Sequence, residues 1–151
     1  MATGKCGCGA VTYEVDVIPM VVHCCHCSWC QRETGSAFVL NAIVETDAVR
    51  LEGKTEALKR PTESGGHQQI VSCPECRSVL YSHYGGMGKP LAFLRVGTLD
   101  DPSAFPPTVH IFTSTKQPWV ILGDDVPIYE GYYKMRDVWS DAAVERFKKT
   151  R

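Results

Sequence analysis

Strong charge bias, long apolar runs and internal repeats are all missing from this chain. Its 151 residues hold 16 Lys and Arg against 17 Asp and Glu, a formal net charge of -1. A nucleic-acid-binding surface normally shows as a basic excess, so no nucleic-acid partner is expected. The Lys148, Lys149, Arg151 cluster reads more simply as a helix end complementing its dipole. No apolar stretch approaches the roughly 20 residues of a membrane span, so no membrane partner is expected either. The opening "MATGKCGCGA" lacks the apolar segment of a secretory signal. A cytoplasmic location is therefore expected, where cysteines serve as thiols or metal ligands more often than as disulfides. No linker or low-complexity tract divides the chain, and residues 1–151 are expected to form a single domain.

Helix signals are scarce as well. Short strand-like runs cut by turn residues fill most of the chain. "AVTYEV" alternates Val11, Tyr13 and Val15 with Thr12 and Glu14, as a half-buried strand should. "AFVLNAIVE", "AVRLE", "QQIVSC", "SVLYSHY", "LAFLRVG" and "TVHIFT" are further strand candidates. Between them, "ESGGHQ", "YGGMGKP" and "LDDPSAFPP" carry Gly and Pro that are hard to place inside helices. One helix is expected from about Val138 to Lys148, with Ala142, Ala143 and Phe147 available to pack. A short one is expected after Cys30, stopped by Gly35. The fold class is thus mainly β and antiparallel, with a C-terminal helix.

What is plentiful is cysteine: eight residues in three clusters. Cys6 and Cys8 form a Cys-x-Cys, Cys73 and Cys76 a Cys-x-x-Cys, and Cys25, Cys27 and Cys30 a Cys-x-Cys-x-x-Cys. In extended backbone, residues i and i+2 share a face. A Cys-x-Cys can therefore aim both sulfurs at one ion, for which zinc is the default. If Val22 to Cys27 is extended, Cys25 and Cys27 share a face with His23, while Cys24 and His26 point the other way. Cys24 is then packed or hydrogen-bonded rather than metal-bound.

Three partitions of the cysteines stand open on spacing. Cys6, Cys8, Cys73 and Cys76 make a closed four-thiolate site, leaving Cys25, Cys27 and Cys30 as three ligands. Three protein ligands with a fourth position for water or substrate is the pattern of catalytic zinc. Alternatively, Cys27 and Cys30 join Cys73 and Cys76 as a zinc ribbon, or Cys24 closes the second site as its fourth ligand. Redox dithiol chemistry would need a βαβ context that the scarcity of helix denies. The zinc deaminase pattern needs a His-x-Glu, which does not occur. Neither glycine-rich segment matches a phosphate loop.

"GKCGCGAVTYEV", "HCCHCSWCQRETGSAF", "SCPECRSVL", "VGTLDDP" and "HIFTSTKQPW" together resemble the glutathione-dependent formaldehyde-activating enzyme and centromere protein V family, from about Lys5 to Trp119. The resemblance implies a zinc-bearing β fold like that of Rab nucleotide-release factors and type B methionine sulfoxide reductases. It also implies two zinc ions: a structural one on Cys6, Cys8, Cys73 and Cys76, and a catalytic one on Cys25, Cys27 and Cys30. The activity it implies is carbon–sulfur lyase chemistry of the S-hydroxymethylglutathione synthase type, joining glutathione and formaldehyde. The expected partner is a small-molecule thiol, glutathione first, held as its thiolate at the fourth position. The rival class is a non-catalytic zinc module for protein binding. A thiol-dependent reductase would need Cys24 free and accessible. His23 and His26 are candidates to ligate the metal or to hydrogen-bond its ligands. His110 reads as a strand histidine. Thr34 and Ser36 could orient substrate, Trp29 and Trp119 could wall a pocket, and Arg32, Arg77 and Lys116 could meet glutathione carboxylates.

Overall fold

The computed structural model describes residues 1–62 and 65–151. The "ESGGHQ" segment is therefore described only in part, because Glu63 and Ser64 lie outside the described residues. Strands β1 (Ala2–Lys5), β2 (Thr12–Val15) and β5 (Val49–Glu52) form a small antiparallel sheet in the order β1-β2-β5. The large sheet contains β3 (Val21–Cys25), β4 (Val39–Glu45), β6 (Glu56–Pro61), β7 (His67–Ser72), β8 (Val79–Tyr84), β9 (Leu91–Arg95) and β10 (Val109–Ile111). Its order is β10-β3-β4-β9-β8-β7-β6. Neighbours run antiparallel except β10, which pairs in parallel with β3 and sets His110 beside Cys24 and Ile111 beside Cys25. The antiparallel reading thus holds for every strand pair described but this one.

The pleat sorts side chains to two cores. In β2, Tyr13 and Val15 are buried while Thr12 and Glu14 face solvent, the alternation expected of a half-buried strand. Strands β3 and β9 are buried along their whole length, because the large sheet is covered on both faces. One face, carrying Val22, Ala42, Val44 and Leu94, packs with Val11, Tyr13 and Val15 against the small sheet. The other, carrying Val21, Ile43, Phe93 and Ile111, packs against Tyr133, Trp139, Ala143 and Phe147 of the C-terminal segment. Cys25 and Cys30 belong to this second core.

Helix α1 spans Ser28–Thr34, with Cys27 as its N-cap and Gly35 in the left-handed conformation (φ 64°) as its C-cap. Cys30 therefore lies inside the helix expected to follow it. The C-terminal helix expected from Val138 to Lys148 is two pieces, α2 (Met135–Val138) and α3 (Asp141–Lys149). Ser140 breaks them apart: its backbone is extended and its hydroxyl caps α3 by accepting from the Ala143 N–H. Strands β1 and β6 carried no sequence signal. All but the first residue of β6 is exposed, as befits a charged edge strand ending in Pro61. Among the described residues, no helix is long and apolar enough to cross a membrane.

Candidate metal centre

The turn after β1 and the turn joining β7 to β8 meet. There the sulfurs of Cys6, Cys8, Cys73 and Cys76 all lie within 4.8 Å of one another. Cys6 Sγ is 3.5 Å from Cys8 Sγ, which is 3.8 Å from Cys73 Sγ. The sulfur–sulfur edge of a tetrahedral zinc with bonds of about 2.3 Å is ~3.8 Å, so the donor set fits such an ion. Ser78 ties the two turns together: its Oγ accepts from the Gly7 N–H at 3.0 Å and lies 3.2 Å from Cys76 Sγ. Arg77, in the left-handed region at φ 64°, pairs with Glu56 beside this cluster.

A second cluster forms where β3 runs into α1. Cys25 ends the strand, Cys27 caps the helix by accepting from the Cys30 N–H at 3.3 Å, and Cys30 sits in the first turn. Their sulfurs also lie within 4.8 Å of one another. Hydrogen bonds from Cys25 and Cys30 push the Cys27 thiol down to about 2, while the bond with Cys27 pushes Cys25 up to about 12. Cys30 is driven up by the same two neighbours, Cys25 and then Cys27. Three thiols this close resist ionising together, and full ionisation would need a cation among them. The chemistry of the donor set therefore suits a divalent metal such as zinc.

This second cluster opens on a cavity of about 590 Å³ that the first does not line. Segment 113–117 clamps the helix entrance beside it. Gln31 Nε2 donates to the His26 and Thr115 carbonyls at 2.7 and 2.9 Å, and Gln117 Nε2 donates to Gln31 Oε1 at 2.7 Å. His23 lines the cavity on the same face as Cys25, as the period of an extended strand requires. Its Nε2 is 2.5 Å from the Tyr133 hydroxyl, which accepts from Trp139 Nε1 at 2.6 Å. An indole can only donate, so the Tyr133 oxygen accepts from Trp139 while also bonding His23 Nε2. Burial depresses the His23 pKa to about 4, so the ring is neutral.

Cys24 and His26 face away from that cavity. With His110 they form a third buried group whose donor atoms lie within 4.8 Å of one another, another arrangement that could hold a metal. Its contacts have hydrogen-bond lengths: Cys24 Sγ is 3.4 Å and His110 Nδ1 is 3.1 Å from His26 Nε2. The fold does not bring Cys24 to the Cys25, Cys27, Cys30 cluster, nor Cys27 and Cys30 to Cys73 and Cys76. At 3% exposure, with burial raising its thiol to about 12, Cys24 is not the accessible cysteine a reductase would need.

Other sequence candidates divide. Trp29 lines the cavity, whereas Trp119 is 71% exposed and does not. Thr34 donates to the Cys30 carbonyl at 2.8 Å, as a helical threonine does. Thr34, Ser36, Arg32, Arg77 and Lys116 are all outside the cavity lining. The lining residues that sequence reading missed include Asn41, Tyr84, Met87, Phe93, Phe112 and Tyr132. The strand candidates "AFVLNAIVE" and "LAFLRVG" contained Asn41 and Phe93, but strand alternation cannot say which buried face holds a ligand.

A family model described as glutathione-dependent formaldehyde-activating enzyme matches residues 1–115. A crystal structure of a Rhodobacter sphaeroides protein is similar in fold, with 18% sequence identity, a TM-score of 0.50, and coverage of 83% of this chain and 98% of that one. No curated protein matches the chain significantly.

Proposed function

Because the chain belongs to the glutathione-dependent formaldehyde-activating enzyme family, we propose that it makes and breaks carbon–sulfur bonds in small adducts of a thiol and an aldehyde. Glutathione and formaldehyde are the pair the family description names. Cys25, Cys27 and Cys30 hold a catalytic zinc, Cys6, Cys8, Cys73 and Cys76 hold a structural one, and the protein works in the cytoplasm. The observation that carries this reading is the contrast between the clusters: three sulfurs on a cavity wall, four sulfurs away from it. A zinc bound by three thiolates supplies a fourth position that lowers the pKa of an incoming thiol.

In the forward direction the thiol sulfur bonds to the carbonyl carbon, the carbonyl π pair moves to oxygen, and the thiol proton ends on that oxygen. No oxidant or reductant takes part. The chain's own share is to bind, orient and exclude water. Asn41 Oδ1 accepts from Arg95, which leaves Nδ2 as the donor Asn41 can offer to the cavity it lines. His23, neutral, offers Nδ1, the ring nitrogen not bonded to Tyr133. Either can receive the adduct oxygen, while Trp29, Phe93 and Phe112 keep bulk water from the reacting sulfur.

Titrating glutathione into cobalt-substituted protein tests the reading. Shifted ligand-field bands are expected, together with accumulation of the thiol–aldehyde adduct by NMR when formaldehyde follows. Bands unchanged at saturating thiol would sink coordination and favour a non-catalytic zinc module.

A further inference from the structure

Glutathione carries carboxylates and an ammonium group, and a bound charge needs a partner or water. Among the described residues, no Asp, Glu, Lys or Arg lines the cavity. Arg95, which bonds Asn41 of the lining, is buried and taken: its Nη2 meets Glu33 at 2.7 Å. Lys116 donates to the Val120 and Gln117 carbonyls at 2.7 and 3.1 Å. Arg77 is engaged with Glu56 beside the other cysteine cluster. The wall is instead built from Trp29, Tyr84, Met87, Phe93, Ile111 and Phe112. A volume of about 590 Å³ suits a ligand far larger than a one-carbon aldehyde.

We infer that the cavity takes an uncharged thiol adduct bearing an aromatic or long alkyl group, in preference to an adduct of a charged peptide thiol. The inference rests on the carbon–sulfur chemistry proposed above and narrows its substrate class. The adduct sulfur reaches the Cys25, Cys27, Cys30 cluster. Its apolar group lies against Phe93, Ile111 and Phe112, and its oxygen turns to Asn41 or His23. An aromatic group leaving water for this wall gains by burial, whereas a glutathione carboxylate drawn to it would meet no cation among the described lining residues.

Methyl 2-phenylethyl sulfide and S-methylglutathione carry the same methyl thioether and lack a thiol proton, so the difference between their calorimetric titrations into the zinc-loaded protein reads the rest of the cavity. The phenylethyl sulfide is expected to bind at least about tenfold more tightly. Met87→Lys, which adds a cation to the wall and replaces none of the cysteines, is expected to shrink that ratio at unchanged zinc content. S-methylglutathione binding as tightly or more tightly, or neither sulfide binding, overturns the inference. The cobalt bands are scored separately with 2-phenylethanethiol. If they stay unmoved while the sulfide binds, thiol coordination fails and the apolar specificity stands. If glutathione moves them and its S-methyl form wins the titration, coordination stands and the apolar specificity falls.

Discussion

Tyr133 holds the back of the cavity in one arrangement. Its hydroxyl is the shared partner of His23 Nε2 and Trp139 Nε1, and all three side chains are buried. Tyr133→Phe would leave both nitrogens without a partner, and each such loss costs on the order of 1 kcal/mol or more. A fall of about 2 kcal/mol in unfolding free energy is expected from urea titration. Nitrogen NMR of His23 should also register the loss of the Nε2 partner. The sequence held no hint of this, because His23 and Tyr133 lie 110 residues apart and Tyr carries no motif. The buried pair of Arg95 and Glu33 was equally hidden, with side chains each 6% exposed. Gln68 adds a 2.7 Å bond to the same carboxylate. Glu33→Gln would strand the guanidinium, and about 3 kcal/mol of stability should go with it in the same titration. Local rules did place the cysteines. Parity put Cys25 on the face of His23 and set Cys24 opposite, because β3 is extended as assumed.

The elements show where such local rules stop. Strand-like runs found β2, β4, β5, β7, β8, β9 and β10, with the side-chain period clearest in β2 and β5 and absent from the burial of β9. They missed β6, which buries almost nothing, and could not foresee that β10 joins β3 in parallel, a pairing set by chain routing. At the C-terminus Ala143 and Phe147 pack as expected but Ala142 is exposed, and the helix start depended on one cap, Ser140. Helix α3 is fastened by Arg146, which bonds both oxygens of Glu45 and the Ile18 carbonyl. The Arg146 hydrogen bonds hold the Glu45 carboxyl below its ordinary range. A depressed carboxyl binds fewer protons folded than unfolded. Its contribution is therefore full above the ordinary value of about 4.3 and is lost as pH falls through the folded value. Arg146→Ala should cost about 1 kcal/mol at neutral pH, the pair being partly solvated. The gap from the parent protein should close below about pH 4. Both proteins lose metal alike in acid, so the difference between their denaturant curves isolates the pair. A gap that persists at the acid end would show that Arg146 acts through its Ile18 bond or its stem.

At the scale of the whole molecule, the two cysteine clusters constrain very different lengths of chain. Cys8 and Cys73 are 65 residues apart, and their cluster pins the turn after β1 to the far hairpin of the large sheet. Metal held there closes a long loop and joins both sheets, so its binding free energy is folding free energy. Structural zinc supplies ~10 kcal/mol, comparable to the whole net stability of a domain this size. Cys25, Cys27 and Cys30 span a single strand-to-helix corner already fixed by the Cys27 cap, the Gln31 bonds and the parallel seam with β10. Metal there adds little constraint. The paired changes Cys73→Ser, Cys76→Ser should therefore abolish cooperative unfolding and near-ultraviolet dichroism. Cys25→Ser with Cys27→Ser should instead keep both signals, lower bound zinc from two ions per chain to one, and remove the thiol response. Cys24→Ser serves as the control for the third buried group. Zinc content that stays at two ions marks Cys24, His26 and His110 as a hydrogen-bonded seam between β3 and β10, whereas a drop would make that group a metal site. Should the Cys25 and Cys27 changes unfold the chain while the Cys73 and Cys76 changes spare it, the division into a structural and a catalytic cluster is reversed.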